Sequence, residues 1–510
     1  MTVYSVNLGI GWASSGIEYA QKYRADAFRK VGIDAKFIFS DLILADNIEA
    51  LTKNMGFEDQ QIIWLYNFFT DIQIAPTTYT VKQLEDELNL KSRKVNSKKE
   101  INNQVVYLLD DEKLSIVARY SNKDKKYIDQ VTYLRDNKLL KRDFYSYTKY
   151  ACEYYLGTDN NYVTVREFYN EAGSVAYVEH LDKDKETFEF PGKAIVYSKN
   201  DLYRLMIREL KLTQDDVVII DREDEDKNLI NSQIIFEEHQ PAKLLVAIHA
   251  DHFSKEFTND EHILWNNFYE YQLTHSEEVD GYIVATEAQQ KVLKKQMKKY
   301  FNVEPNIICI PVGNLAQIQQ AAANMKPHSM ITASRLAKEK HVDWLIKATV
   351  QAKKKIPDLS LDIYGQGNEA GKLSELINDN HAQDYIRLMG QHDLTNVYRN
   401  YGAYVAASTS EGFGLSLMEA VGSGLPMIGF DVPYGNPTFI DNDKNGFLLA
   451  YDVDWSESKK CDELAQAMIQ LFTKSDLTEF RNHSQQIAEK YLVENVAQEW
   501  KQVLEGLKNA

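Results

Sequence analysis

Short, almost wholly apolar runs spaced by helix-length segments constrain the fold of this chain most strongly. "DVVIID" at 216–221, "KLLVAIHA" at 243–250 and "DGYIVAT" at 280–286 form one series. "SMITASR" at 329–335, "LSLDIYG" at 359–365, "YIRLMG" at 385–390, "AYVAAS" at 403–408 and "LPMIGFD" at 425–431 form another, with a helix expected after each of the first four. An apolar run without polar alternation suits a strand covered on both faces, and strands of that kind alternating with helices build parallel sheets. The N-terminus opens the first series early: "TVYSVNL" and "DAKFIFSDL" flank a helical stretch, giving β-α-β over residues 1–60. The chain therefore reads as α/β, with two doubly wound, Rossmann-like domains facing a cleft. Ligands in such folds belong at the carboxyl ends of the strands. The expected boundaries are 1–60 with 200–315 for the first domain and 316–510 for the second, whose last helix is expected to pack back on the first. "NLAQIQQAAANMKPH" at 314–328 reads as the linker.

Between about 95 and 198 the texture changes. "QVVYLL", "KLSIVARYS", "YIDQVTYLR", "YVTVREFYN" and "SVAYVEHL" alternate apolar and polar residues, separated by turn-forming breaks. That period of two predicts an antiparallel meander, so 61–199 is expected to form a tyrosine-rich β-sheet insertion able to dock a partner. Further on, Thr286 followed by Gln289 has the spacing of a capping box for the helix starting at Glu287.

Composition excludes several classes of function. A formal net charge of −17 has the wrong sign for a nucleic-acid binder. The basic run "KKQMKK" at 294–299 reads as a solvated helix face. Cys152, Cys309 and Cys461 lie far apart without metal or redox spacing. The absence of a long apolar run or a basic leader points to a cytosolic protein, whose membrane attachment would be peripheral, at the inner face.

At 7–20, "NLGIGWASSGIEYA" joins a strand to a helix through small residues. Strand, glycine loop and helix start can hold phosphate on backbone N–H groups. The third glycine, Gly16, comes too late for the dinucleotide pattern, and Ile17 and Glu18 stand where a P-loop needs Lys and Ser or Thr. This loop can supply shape and backbone donors but no cation of its own.

Most chemistry lies in the second series. In "VAASTSEGFGLSLMEAVGSGLPMIGF", at 405–430, a buried strand ends at small polar residues. Glu411 precedes the Gly412-Phe413-Gly414 turn, and Glu419 lies in the helix that follows. Glycines there let a ligand approach the backbone, and the helix start favours an anion. In "TASRLAKEKHVDWLIKA", at 332–348, Arg335 and Lys340 flank a loop at a strand end, two cations suited to a diphosphate. "DED" at 224–226 reads as a solvated loop, and no metal site is expected. Asp251 and His252 beside His249 are too few for one.

Together "SRLAKEKHVDWLIKA", "LDIYGQGNE", "YIRLMGQH" and "STSEGFGLSLMEAVGSGLPMIGFD" resemble, in order, the retaining GT-B glycosyltransferases of family GT4. The resemblance implies a nucleotide sugar held by the second domain, metal-independent, with no cofactor. It implies that Arg335 and Lys340 grip the diphosphate and that Glu411, with the Gly412–Gly414 backbone, contacts the sugar. It further implies that Glu419 holds the ribose, that Gln391 and His392 lie against the base, and that His249 touches the donor sugar from the first domain. Gly16, Ile17, Glu18 and Tyr19 would be the donor contacts of the glycine loop.

The N-terminal half, including "MTVYSVNLGIGWASSGIEYAQKYRADAFRK" and "EHILWNNFYEYQ", narrows the likeness. It is similar to the catalytic subunits of two-protein O-GlcNAc transferases that start O-glycosylation of serine-rich-repeat adhesins in Gram-positive bacteria. This implies UDP-GlcNAc as donor, Ser/Thr of an adhesin polypeptide as acceptor, an α-linked product and a homologous, non-catalytic acceptor-binding subunit as partner. UDP-glucose as donor, a wall teichoic acid α-glycosyltransferase, and a non-catalytic subunit of the same fold are the competing readings. If the glycine loop is half of a donor site, Gly16→Trp should lower transfer without lowering the melting temperature. Unchanged transfer would contradict that role.

Overall fold

The structure is a computed structural model and describes residues 1–12, 15–109, 113–121, 125–156, 162–183, 185–223 and 230–509. The segment 224–226 lies outside the described residues. Two sheets form from the apolar runs. The first has seven strands, running from the edge Ile307–Cys309 through Gly281–Val284, Lys243–Ile248, Val217–Ile220, Thr2–Asn7 and Asp34–Phe39 to Ile62–Trp64. Val3 pairs in parallel with Val217 on one side and with Ala35 on the other. The second has six strands, all parallel, in the order Ile386–Gly390, Ser360–Tyr364, Ser329–Ala333, Ala403–Val405, Met427–Phe430, Gly446–Leu449.

Both sheets share one logic. The chain starts in the middle, works to one edge, then returns beside its first strand and works to the other. The order reverses between Thr2–Asn7 and Val217–Ile220 in one sheet, and between Ser329–Ala333 and Ala403–Val405 in the other. Each reversal splays two loops apart at the carboxyl ends and leaves a crevice. The four inner strands of the six-stranded sheet are buried throughout their middles, with Ile331, Leu361, Ile363, Val405, Ile428 and Phe430 inaccessible to solvent. Each such side chain contributes roughly 1.5–3 kcal/mol.

The third sheet is a nine-stranded antiparallel meander in simple chain order from Val95–Ile101 to Lys185–Glu189. One face buries Tyr107, Ile116, Val131 and Tyr145, and the other buries Phe168 and Tyr177. The sheet also buries charge. Arg166 stands opposite Glu179 on one neighbouring strand and Glu153 on the other, bonding them at 3.0 and 2.9 Å. The strands Val95–Ile101, Lys138–Tyr145, Lys149–Tyr155 and Lys185–Glu189 are additions to the expected set.

Some local expectations change. A 3₁₀ turn, Tyr398–Asn400, stands where a helix was expected between "YIRLMG" and "AYVAAS". Thr286 does cap its helix, accepting from the Gln289 N–H, but the Gln289 side chain turns elsewhere and donates to the Ala250 carbonyl at 2.9 Å. The lysines of 294–299 are exposed while Gln296 and Met297 are buried. The segment 314–328 has no helix or strand yet is tied down, with Leu315 bonded to Tyr491 and Val493 and Gln319 to Gly422.

By contact density the chain divides into two units, residues 1–22, 34–245 and 267–279, and residues 23–33, 246–266 and 280–510. In the second unit the final helix, Val493–Asn509, lays Trp500 edge-on against Phe28 with ring centroids 5.3 Å apart, and Lys30 pairs with Glu494.

Candidate active site

In the second unit, the loops leaving the two strands at the order reversal carry the residues singled out by the sequence. Lys340 follows the first strand and Glu411 the fourth. Their side chains meet, Lys340 Nζ donating to Glu411 Oε2 at 2.7 Å, with both side chains largely sheltered from solvent. Arg335 is not brought to Glu411. It is 74% exposed and pairs with Glu339, four residues on, at 2.8 Å. Close approach fixes the strand end that carries it. A Cβ at Gly365, whose φ is +128°, would sit 1.9 Å from the Ser334 carbonyl oxygen, and one at Gly367 would sit 2.2 Å from that of Leu336. This accounts for the glycines of "YGQGNE".

The loop at Glu411 is held by backbone. Its N–H donates to the Pro433 carbonyl at 3.0 Å, and its own carbonyl accepts from the N–H groups of Tyr434 and Gly435. Phe413 turns inward, 5% exposed, against Phe439 and Tyr491, so only its backbone faces outward chemistry. Gly414 caps the helix Leu415–Gly422 with φ +88° and no side-chain bond. In that helix Glu419 accepts from Tyr398 Oη at 2.9 Å and from Tyr23 Oη at 3.3 Å. Burial, then the charge of Glu419, drives the Tyr398 hydroxyl well above its ordinary range, keeping it a donor. Gln391 and His392 are exposed, and His392 bonds the Met389 carbonyl at 2.8 Å.

His249 follows the strand Lys243–Ile248, and its carbonyl faces Gly412, where a Cβ would come within 2.8 Å. Its neighbours Asp251 and His252 are committed to other partners. Asp251 Oδ2 accepts from Ser410 Oγ at 2.7 Å. His252 is fully buried, stacked near Trp265 and Tyr434, with Nε2 2.6 Å from Gln296 Oε1. Because that oxygen only accepts, the proton sits on Nε2, and burial holds the imidazole down to about 4 despite the opposing pull of Gln296.

In the first unit, the glycine loop occupies the other order reversal. A Cβ at Gly9 would lie 2.8 Å from Asp41 Oδ2, whereas Gly16 is exposed with open space around its Cβ position. Glu18 folds back, 4% exposed, to accept from the backbone N–H and hydroxyl of Ser15, and it also meets Asn7 and Arg222. Glu18 therefore engages one of the loop's own N–H groups. Gln21 bonds Asp221 at 2.9 Å across the reversal. Ile17 is half-buried and Tyr19 exposed.

The residues that sequence reasoning passed over as site components are Tyr23, Tyr398, Asp251, Ser410 and Gln289. Ser410 lies inside the glutamate motif, but its partner is 159 residues away in sequence. No described helix is long and apolar enough to cross a membrane.

Two doubly wound sheets, each with a loop cluster at its order reversal, and a cation meeting a glutamate at one of them define a glycosyltransferase of the GT-B fold. The family described as "Glycosyl transferases group 1" matches residues 314–490, and the "GtfA extended beta-sheet domain" matches 96–192. The chain is 56% identical, over 100% of both chains, to the UDP-N-acetylglucosamine–peptide N-acetylglucosaminyltransferase GtfA subunit of Limosilactobacillus reuteri subsp. suis. It is similar to the crystal structure of the pneumococcal O-GlcNAc transferase GtfA in complex with UDP and GlcNAc. That match has 44% identity, a TM-score of 0.93 and coverage of 100% and 99%. A crystal structure of a GtfA/B complex matches at 47% identity and TM-score 0.93, with 100% of both chains covered. This chain belongs to the GtfA family of peptide N-acetylglucosaminyltransferase subunits, and it is an enzyme of that class.

His252 gives a pH signature. Its folded pKa lies below the ordinary histidine value, so the unfolded chain takes up the proton first. The stability it contributes is complete above pH ~6.5 and is lost as pH falls toward 4. Relative to His252→Phe, which keeps a ring but cannot titrate, the protein should lose roughly 3 kcal/mol across that interval, measured by denaturant unfolding. A gap that does not change with pH would contradict a buried neutral imidazole.

Proposed function

We propose that this chain transfers GlcNAc from UDP-GlcNAc to Ser and Thr hydroxyls of a serine-rich-repeat adhesin polypeptide with an α-linked product, the first step of its O-glycosylation. It works in the cytoplasm, peripherally at the membrane's inner face, beside a homologous non-catalytic acceptor-binding subunit. The Lys340–Glu411 pair at the order reversal carries the reading, because a cation able to bind phosphate stands next to a carboxylate able to orient sugar hydroxyls. An ammonium has three donors and Glu411 uses one, which leaves donors for a diphosphate. Arg335 adds the second cation once it exchanges Glu339 for phosphate. Glu419 keeps lone pairs beyond those taken by its two tyrosines and can accept ribose hydroxyls. Charge that develops on the departing UDP is met by these cations and by the start of the Leu415–Gly422 helix, where Gly414 brings no side-chain cap. His249 stands beside Gly412, where a donor sugar over Glu411 would reach it.

The names and bound ligands of the relatives support UDP-GlcNAc, a peptide acceptor and assembly with a GtfB-type subunit. In this reading the nine-stranded sheet, which the match at 96–192 covers, is the docking surface. The net charge of −17 disfavours a polyol-phosphate polymer as acceptor. The test is incubation of the protein, alone and with its partner subunit, with UDP-GlcNAc or UDP-glucose and either a serine-rich peptide or teichoic acid, read by mass spectrometry. GlcNAc on the peptide is expected, with Lys340→Ala and Glu411→Ala each slower by about 100-fold or more. Glucose transfer, transfer to the polymer alone, or no transfer even with the partner would overturn the reading.

A further inference from the structure

Three loops of the second unit lock together around Glu411. The loop after Lys243–Ile248 is held on its own side by Gln289, which donates to the Ala250 carbonyl at 2.9 Å. Asn266 adds a side-chain bond to the Asp251 carbonyl at 3.0 Å and a backbone bond to that of His252 at 2.9 Å. The loop at 433–435 bonds both backbone groups of Glu411. The remaining link is made by a side chain. Ser410, the residue before Glu411, donates its hydroxyl to Asp251, two residues after His249.

A carboxylate is an expensive residue to use here. Asp251 is well sheltered, and burial pushes its carboxyl up, opposed by the Ser410 hydroxyl. Among the described residues no cation pairs with it. A half-buried anion satisfied by a neutral hydroxyl contributes little to stability. It does fix geometry: the bond that Asp251 accepts from Ser410 sets the height of the Ser410–Glu411 segment against a loop held by Gln289 and Asn266. Gly412 beneath the His249 carbonyl permits that approach, since any Cβ would force the loops apart.

We propose that Asp251 is a positioning residue for sugar transfer: through Ser410 it sets where Glu411 stands relative to His249. The inference rests on the reading of Glu411 and His249 as donor-sugar contacts. Misplacement by an ångström or less is costly in catalysis even when binding survives. The effect therefore belongs in turnover.

The test uses the full chain with its partner subunit, UDP-GlcNAc and a serine-rich peptide, and compares Asp251→Ala, Asp251→Asn, Ser410→Ala and the Asp251→Ala/Ser410→Ala double variant. The two single alanine variants should each lower kcat about 10- to 100-fold with donor KM changed less than about threefold. The double variant should be no slower than the slower single one, because both remove the same bond. Asp251→Asn, which keeps an oxygen for the Ser410 hydroxyl, should recover most of the loss. Ser410→Ala removes a single oxygen and carries the test by itself if Asp251→Ala fails to fold. Near-normal kcat in Ser410→Ala, multiplied losses in the double variant, or an effect confined to KM overturns the inference. If Glu411→Ala is inactive while these variants are not, this inference alone fails. If the unsubstituted protein transfers no sugar, the functional reading beneath it fails.

Discussion

The ion pair between Lys340 and Glu411 joins the two arms of a topological reversal, and the candidate site depends on it. Its members lie 71 residues apart and arrive from neighbouring strands that leave the sheet in opposite directions of winding. The pair is sheltered enough to exceed an exposed surface bridge and open enough to avoid the full desolvation cost of a buried one. Such a pair is exchangeable. In the proposed reaction a phosphate takes the lysine while the carboxylate turns to sugar hydroxyls. Arg335, already paired with Glu339, repeats that arrangement at the surface.

Backbone constraints make the exchange precise. Glu411 is bonded at both its N–H and its carbonyl, its neighbour Gly412 is pressed under His249, and Gly365 and Gly367 leave room only for the carbonyls of Ser334 and Leu336. The glycines of the two motifs thus serve close approach between chain segments, with ligand access a second use of the same space. In the glycine loop, Glu18 caps its own helix and Gly9 accommodates Asp41. What resembled a defective P-loop is a loop whose acidic residue has an internal task, while Gly16 remains open.

The α/β sheets were legible because burial on both faces leaves a continuous apolar run, which a periodicity argument detects directly. The Gly446–Leu449 edge strand was missed because it starts on a glycine directly after a turn at 441–445. In the meander, strands with alternating faces were legible. Lys138–Tyr145 and Lys149–Tyr155 were not, because their inward positions include Asp143 and Glu153. Glu153 is paired across strands by Arg166, a contact that no local pattern can announce, and Asp143 by Lys141 two residues before it on the same strand. The site was half legible for the same reason. Glu411, Lys340 and Arg335 sit in motifs, whereas Tyr23 and Asp251 reach it from 396 and 159 residues away.

The proposed reaction divides labour within one ion pair: Lys340 for phosphate, Glu411 for sugar. Calorimetric titration of UDP and of UDP-GlcNAc into the unsubstituted protein, Lys340→Ala and Glu411→Ala tests it most directly. Lys340→Ala should weaken both ligands. Glu411→Ala should keep or tighten UDP, because the lysine is released, and lose the added affinity of the sugar. Equal weakening of UDP by both substitutions would contradict the division.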